Sequence, residues 1–150
     1  MFTEGLIKLK HISNSINDTE KIAEQFANNL KGSEIILLEG DLGAGKTFFV
    51  KSVAKSIGCS DVITSPTFTL MQTYSGGEFT IFHFDLYRIK NFIELENFGF
   101  FEYLEEDGIK FVEWAERVNL ESMLDNYIKI NIEKTGEFSR VIEIFYKKGE

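Results

Sequence analysis

The order of apolar and polar positions in the first third of the chain predicts a strand followed by a helix. Residues 6–12 are expected to form a short strand. Residues 18–31 predict a helix because their apolar residues recur at the spacing of one helical face; these are Ile22, Ala23, Phe26, Ala27 and Leu30. Asn17 or Asp18 is suited to cap the start of this helix, and Gly32 is suited to follow its end.

A second strand and a second helix come next, with a glycine-rich turn between them. Residues 34–39 (EIILLE) predict a buried strand, because the run is short and its centre is wholly apolar. Residues 40–45 contain three glycines and predict a turn. Residues 46–57 then predict a helix with one apolar face that ends before Gly58.

Two β-hairpins are predicted in the rest of the chain. Residues 67–74 and 78–84 are rich in Phe, Thr, Ile and Tyr and lie on either side of Ser-Gly-Gly, which is typical of a hairpin. Residues 127–133 and 141–146 alternate in polarity and are joined by a loop that contains Gly136. We therefore expect antiparallel strand pairs in the middle of the chain and at its C-terminal end.

Between the hairpins, the pattern predicts helices and one more buried strand. Residues 91–106 are expected to form two short helices divided near Gly99, and residues 109–114 (IKFVEW) a buried strand. Helices between buried strands, combined with hairpins, indicate an α/β fold with a mixed sheet. We expect residues 1–150 to form a single domain, because domains commonly contain about 100–150 residues.

Composition and charge narrow the class of protein. The 150 residues are 43% hydrophobic and include 15 Phe, which predicts an aromatic-rich core and excludes a globally disordered chain. The formal net charge is −8. An acidic protein repels the phosphates of a nucleic acid, so RNA binding should be weak without a partner protein.

The single cysteine and the short apolar runs favour a cytoplasmic location. Cys59, expected to be a small filler after the second helix, cannot form an intramolecular disulfide or a multi-cysteine zinc site. A lone thiol suits a reducing compartment. The longest uncharged apolar runs, such as residues 35–38, are four residues long, whereas a membrane span needs about 18. We therefore expect no targeting segment and no membrane contact.

The sequence GDLGAGKT at residues 40–47 carries the first candidate chemistry. It matches the phosphate-binding pattern G-x-x-x-x-G-K-[ST] and lies between a predicted strand and a predicted helix. Backbone N–H groups of such a loop, together with the helix N-terminus, hold phosphate oxygens. Lys46 would reach the β- and γ-phosphates of a nucleotide, and the Thr47 hydroxyl would bind Mg²⁺. We therefore predict a P-loop NTPase-like mixed β-sheet flanked by helices.

Acidic residues that end two predicted strands are candidates for the metal and for the catalytic water. Asp85 ends the run TIFHFD, and Glu113 ends the run IKFVE. The period-two pattern of a strand places His83, Asp85 and Tyr87 on one side of the site. The spacing leaves open which carboxylate binds Mg²⁺ and which orients water. His83 has the alternative interpretation of a structural group that is satisfied within the fold.

Two further features allow both a functional and a structural interpretation. Residues 64–67 (TSPT) follow the P-loop helix, and the only proline favours an extended Ser65. This segment is either a switch-like loop that senses the γ-phosphate or a rigid turn before the hairpin. Trp114, the only tryptophan, adjoins Glu113 and belongs either to the core or to the site.

Taken together, four segments resemble the TsaE family, the bacterial P-loop ATPases of tRNA threonylcarbamoyladenosine biosynthesis. They occur in the family's order and are GDLGAGKT at 40–47, TSPTFTL at 64–70, HFDLYR at 83–88 and VEWAER at 112–117. Many proteins share a P-loop, whereas this ordered set is far more specific.

The resemblance implies a site that binds ATP or ADP with Mg²⁺. Six consecutive residues would wrap the phosphates, namely Leu42, Gly43, Ala44, Gly45, Lys46 and Thr47. Thr47 and Glu113 would be the magnesium ligands. Asp85 and Glu113 would contact the nucleotide and, with Lys46, would be the catalytic residues, Asp85 lying near the γ-phosphate.

The resemblance also implies contacts and partners beyond the phosphates. Ile16 and Thr19 would lie beside the adenine, Thr67 would belong to the switch-like loop, and Arg140 would contact the nucleotide. The partners would be a threonylcarbamoyl transferase and its inactive paralogue, TsaD and TsaB, which modify adenosine 37 of tRNAs that read codons starting with A. ATP hydrolysis would reset that complex, and contact with tRNA would be indirect.

Other P-loop functions are open alternatives at this point. A small-molecule kinase would clamp phosphates with an arginine-rich lid, whereas this chain has only Arg88, Arg117 and Arg140, widely spaced. A non-hydrolysing, nucleotide-dependent regulatory module would need no catalytic carboxylate. A GTPase is disfavoured, because the chain has no N-K-x-D motif and no aspartate followed by glycine three residues later.

Overall fold

An eight-stranded mixed sheet organises the computed structural model, which describes residues 6–41, 43–64 and 70–149. The strands are β1 (Leu6–Ser13), β2 (Ile35–Glu39), β3 (Asp61–Thr64), β4 (Met71–Ser75), β5 (Ile81–Asp85), β6 (Ile109–Glu113), β7 (Tyr127–Lys134) and β8 (Arg140–Lys147). The helices are α1 (Ile16–Asn28), α2 (Lys46–Ser56), α3 (Phe92–Phe98) and α4 (Phe100–Leu104), and two short 3₁₀ turns cover Ala115–Val118 and Leu120–Met123.

The centre of the sheet is parallel and its two sides are antiparallel. The strand order is β1-β8-β7-β2-β6-β5-β4-β3. β2 pairs in parallel with β6 and β7, and β5 pairs in parallel with β6. The two predicted hairpins, β4–β5 and β7–β8, flank this parallel centre. Because parallel strands end at the same edge, the residues that follow β2, β5 and β6 gather there.

Buried side chains form one apolar cluster on each face of the sheet. Leu38 of β2 packs with α1 and α2, where the rings of Phe26 and Phe49 lie 5.9 Å apart. Its neighbour Leu37 points to the other face and packs with α3 and α4. A strand buried on both faces explains the continuous apolar run that predicted β2.

The first helix begins earlier than the predicted range of 18–31, because its cap is Ser15 and not Asn17 or Asp18. The Ser15 hydroxyl accepts the Asp18 N–H at 3.1 Å, and the Asp18 carboxylate in turn accepts the Asn14 N–H at 2.9 Å. The arrangement is similar to a capping box, but Asp18 accepts the N–H of Asn14, the residue before the cap, and not that of Ser15 itself.

The same helix also ends earlier than predicted, at Asn28 rather than just before Gly32. The chain between α1 and β2 is held by Glu34, which the pattern had assigned to the strand. Its carboxylate accepts the backbone N–H groups of the three preceding residues at 2.7–3.1 Å. The side chain of Glu34 therefore stabilises a turn, and the strand begins at Ile35.

Strand β3 is a feature that the pattern did not predict. It has four residues, too few for a periodicity to be visible, and it exists by antiparallel pairing with β4. Thr64, expected in the switch-like loop, is the last residue of this strand. Residues 65–69 lie outside the described part of the chain, and with them the predicted role of Thr67 and the start of the predicted strand 67–74.

The other elements match the prediction closely. Gly99, with a φ of +90°, separates the two expected helices α3 and α4. The second helix and the terminal hairpin have the expected positions. β4 ends at Ser75, one residue later than predicted, and β5 begins at Ile81 and not at residue 78, because the bends that join the two strands extend to residue 80. None of the described helices is both long and apolar enough to cross a membrane.

Candidate functional site

Glycines shape the turn between β2 and α2. Gly40 has a φ of +147°, and a side chain there would overlap the carbonyl oxygen of Ile132. Gly43 has a φ of +82° and faces open space, because among the described residues no atom beyond its chain neighbours lies within 4 Å of the position of a Cβ. Gly45 is the N-cap of α2, and no side chain caps this end of the helix among the described residues. The free N–H groups and the open space suit a bound phosphate.

A buried group of three ionisable side chains lies beside this loop. Lys46 is the first residue of α2, and its Nζ lies 3.6 Å from Oε1 of Glu113, the last residue of β6. The second oxygen of Glu113, Oε2, lies 2.5 Å from Nε2 of His83 in β5. All three residues are no more than 6% exposed. The parallel strands β2, β6 and β5 therefore bring a cation, a carboxylate and an imidazole into one site.

The surroundings of Glu113 favour its charged form. Burial alone would raise the pKa of this carboxyl, but the hydrogen bond and charge of His83 and the charge of Lys46 outweigh burial and lower the pKa. The carboxylate is therefore ionised at neutral pH and accepts a hydrogen bond that His83 Nε2–H donates. The negative charge of Glu113 adds to burial in raising the pKa of Tyr74, whose ring stacks on His83 at 6.2 Å.

The ring of Trp114 covers the ammonium group of Lys46. Its Nζ lies 4.8 Å from the centre of the Trp114 ring, within the range of a cation–π interaction. Trp114 directly follows β6 with a φ of 63°, so the predicted strand 109–114 ends one residue early. The Tyr87 ring lies 5.0 Å from Trp114 and also carries the guanidinium group of Arg117 at 5.0 Å. Trp114 thus packs partly against the core and partly over the site.

Asp85 lies at the same edge of the sheet but in a different environment. It is the register partner of Glu113 at the ends of β5 and β6. Its side chain is exposed, and one carboxylate oxygen accepts the Tyr87 N–H at 3.0 Å. Of the two candidate carboxylates, Glu113 is the one that contacts the P-loop lysine, and Asp85 is the one open to solvent.

A cavity of about 280 Å³ lies on the other side of the loop. It brings together five of the predicted nucleotide contacts, namely Ile16, Thr19, Ala44, Gly45 and Arg140. Phe48 and Phe138 also line it, and no sequence pattern had singled them out for this role. Arg140 Nε donates to the Ala44 carbonyl at 2.8 Å, and its guanidinium also donates to carbonyls of the β7–β8 loop. Arg140 therefore fastens the phosphate-binding turn to the terminal hairpin.

Magnesium would find a small set of oxygen donors here. Thr47 is exposed immediately after Lys46, and Glu113 presents a carboxylate. Across residues 6–41, 43–64 and 70–149, no three His, Cys, Asp or Glu side chains form a metal-binding group. Mg²⁺ commonly takes one or two protein oxygens and completes its shell with substrate phosphates and water. Thr47 and Glu113 fit such a site, because it does not require a complete set of protein ligands.

Most predicted site residues are gathered at one end of the parallel strands. Leu42 and Thr67 are the exceptions, because both lie outside the residues that the structure describes. The sequence did not predict the contact of Trp114 with Lys46 or that of His83 with Glu113. The only available signals were the adjacency of Trp114 to Glu113 and the placement of His83 on the same strand face as Asp85.

Comparison with known proteins points to one family. Residues 13–142 match the family model described as "Threonylcarbamoyl adenosine biosynthesis protein TsaE". The chain is 42% identical over 135 residues to the protein of that name from Rickettsia conorii, covering 89% of this chain and 76% of the relative. It is 41% identical over 138 residues to the one from Aquifex aeolicus, covering 91% and 95%.

The fold has a solved counterpart as well. The crystal structure of Bacillus subtilis YdiB superposes with a TM-score of 0.76 and 31% sequence identity, covering 97% of this chain and 89% of YdiB. The TsaE protein of Bacillus subtilis is 37% identical over 125 residues, covering 83% of this chain and 77% of the relative. Sequence and structure thus agree that this chain belongs to the TsaE family.

Proposed function

We propose that this protein binds and hydrolyses Mg-ATP in support of the threonylcarbamoylation of adenosine 37 in tRNAs that read ANN codons. The observation that carries the proposal is the 3.6 Å contact between Lys46 and Glu113 beside the glycine-rich turn. A P-loop ATPase needs a phosphate-binding cation and an acidic residue at the end of a neighbouring strand. Here both groups are buried and lie next to each other, whereas an ion pair on the protein surface would not require either group to be buried.

The roles of the chain's residues follow from their positions. Lys46 would leave Glu113 for the β- and γ-phosphates, and the freed Glu113 oxygen, together with Thr47, would hold Mg²⁺. Bound Mg²⁺ would neutralise charge on the phosphate oxygens. Asp85, exposed beside Glu113, is placed to orient the attacking water. The 280 Å³ cavity beside Ile16 would receive the adenine.

We further propose that the activity serves a complex of the threonylcarbamoyl transferase TsaD and its inactive paralogue TsaB. Support comes from the relatives, whose names assign them to tRNA threonylcarbamoyladenosine biosynthesis. The net charge of −8 disfavours direct binding of tRNA, so the partners would hold the tRNA. The proposed compartment is the cytoplasm, where the lone Cys59 thiol would stay reduced.

Calorimetry with Mg-ATP and Mg-ADP tests the nucleotide site. Lys46→Ala removes the ammonium that would contact the phosphates, so the affinity for Mg-ATP should fall at least about tenfold, the loss of about 1.4 kcal/mol. Lys55→Ala, an exposed position at the other end of α2, is the matched control and should bind as the wild type does. Unchanged affinity in Lys46→Ala would reject the P-loop assignment.

The two carboxylates are separated by a pair of isosteric variants. Asp85→Asn should keep the affinity for Mg-ATP and reduce hydrolysis about 10²–10⁴-fold, the usual contribution of general acid–base catalysis. Glu113→Gln should reduce the gain in nucleotide affinity that Mg²⁺ provides. The opposite pattern would exchange the two roles.

The same assays separate the alternative functions. Phosphate transfer to a metabolite rather than to water would favour the small-molecule kinase. Nucleotide binding without turnover would favour the regulatory module.

A further inference from the structure

His83 is a buried polar group within the site to which the proposed function assigns no role. It lies in β5, two residues before Asp85, and is 6% exposed. Its Nε2 lies 2.5 Å from Glu113 Oε2, closer than the about 2.7–2.9 Å usual for a hydrogen bond between a nitrogen donor and a carboxylate. Its Nδ1 is buried and has no hydrogen-bond partner among the described residues. The interaction of His83 is therefore concentrated on one atom of one carboxylate.

The Glu113 carboxylate needs such a partner to hold one orientation. The last torsion of a glutamate side chain has a broad, weak preference, so an unsupported carboxylate rotates. Here Oε2 is taken by His83 and Oε1 is left on the side of Lys46 and the glycine-rich turn. Neighbouring strands hold the imidazole in turn, because Tyr74 stacks on it and Gln72 of β4 is its register partner.

We propose that His83 is a positioning residue, which fixes the Glu113 carboxylate so that Oε1 faces the phosphate- and metal-binding side of the site. This inference rests on the proposed function and deepens it. Partners that orient a metal-binding carboxylate commonly change metal affinity or activity by 10–100-fold when they are removed. A buried histidine that only filled space would affect stability and leave the magnesium dependence of binding unchanged.

The shapes of glutamine and asparagine provide a matched pair of variants. The glutamine amide nitrogen can occupy the place of imidazole Nε2, whereas the asparagine amide nitrogen occupies the place of Nδ1. His83→Gln should therefore keep the hydrogen bond to Glu113, and His83→Asn should lose it. A structural role would make both variants behave alike, because both replace the ring with a smaller polar group.

The test measures ADP affinity by calorimetry with Mg²⁺ and with EDTA, and kcat and KM for ATP. In His83→Asn, the gain in affinity from Mg²⁺ should fall about tenfold or more and kcat at least about tenfold, while affinity in EDTA stays at the wild-type value. His83→Gln should remain within about threefold of the wild type on each measure. If His83→Asn proves unstable in thermal denaturation, His83→Leu takes its place with the same expectation.

A second readout works without nucleotide and separates this inference from the proposed function. Lys46 lies between Glu113 and the Trp114 ring, so a misplaced carboxylate should alter the Trp114 emission of the free protein. His83→Asn should change that emission and His83→Gln should not. Equal behaviour of the two variants, in emission and in magnesium dependence, would overturn the positioning role. A wild-type protein that binds no Mg-ATP would overturn the proposed function instead, and the emission test would still decide about His83.

Discussion

Lys46 shows how the neighbours of one side chain can keep a charge in position for a ligand. Its charge lies between the carboxylate of Glu113 and the face of Trp114, and its side chain is 7% exposed. Removing a cation from water is costly unless it is paired. The carboxylate and the indole face supply that compensation, the latter worth about 2 kcal/mol where water is excluded.

Trp114 should therefore report the position of Lys46. Because Trp114 is the only tryptophan, all tryptophan emission of the protein comes from this one position. Addition of Mg-ADP should draw the ammonium toward the phosphates and change the emission intensity. Without nucleotide, the emission intensity of Lys46→Met should already differ from that of the wild type. Addition of Mg-ADP should not change the emission of this variant further. Lys55→Met, on the exposed end of the same helix, should respond as the wild type does; a nucleotide-independent signal in the wild type would contradict this expectation.

At the scale of single residues, the sequence predicted which side chains have functional chemistry but not which of them contact one another. The P-loop spacing is a local property, so Lys46 and Thr47 could be assigned directly. The pairing of His83 with Glu113 joins residues 30 positions apart, and it depends on the order of strands in the sheet. Strand-end carboxylates could be recognised, but the contacts with Lys46 and His83 that distinguish the buried Glu113 from the exposed Asp85 appear only in the folded structure.

At the scale of elements, α2 combines a packing face and a binding face in adjacent residues. Phe49 is fully buried against Phe26, whereas Phe48 is 39% exposed and lines the cavity proposed for adenine. Successive residues of a helix point about 100° apart, so one element can serve both the core and the site. The two phenylalanines should therefore be separable by mutation.

Alanine substitution at these two positions should give opposite results. Phe49→Ala should lower the free energy of unfolding by about 3–5 kcal/mol, because it leaves a cavity in the core. Phe48→Ala should cost about 0.5 kcal/mol or less and weaken Mg-ADP binding several-fold. Denaturant unfolding and calorimetry on the same preparations check both. A large stability loss in Phe48→Ala with intact binding would show that the cavity is not the adenine site.

The elements that were predicted well are those with a strong local signal. The parallel strands β2 and β6 are short and mainly apolar, and α3 and α4 are divided by a glycine. The elements that were misjudged depend on side-chain hydrogen bonds or on pairing partners. Ser15 and Glu34 fix the ends of α1 and the start of β2 through contacts with backbone N–H groups, and β3 exists because β4 lies next to it.

For the molecule as a whole, charge and the arginines bear on how the proposed ATPase would work. The net charge is −8 and the chain has three arginines. Arg140 is held by backbone carbonyls, and Arg117 stacks on Tyr87. In other P-loop enzymes, an arginine that reaches the γ-phosphate accounts for about 10³–10⁵ in rate. A partner protein could supply such a group here.

The isolated protein should accordingly hydrolyse ATP slowly, about one turnover per minute or less by analogy with unassisted P-loop GTPases. The rate should rise when the proposed transferase pair is added. The control mixes the Lys46→Ala variant with the same two transferase proteins, and its hydrolysis rate should not rise. The free protein should bind tRNA weakly, and moderate salt should abolish that binding. Fast turnover that does not depend on the pair would favour a stand-alone enzyme or a kinase.

The contact between Lys46 and Glu113 has a thermodynamic consequence. In the structure the two charges neutralise each other, so a nucleotide that arrives without metal takes the lysine and leaves Glu113 buried without its cationic partner. A metal that arrives without nucleotide takes the Glu113 carboxylate and leaves Lys46 buried without its anionic partner. Each ligand alone must break a pair, whereas the two together exchange one pair for two. Nucleotide and Mg²⁺ are therefore expected to strengthen each other's binding by the same factor, as linkage requires.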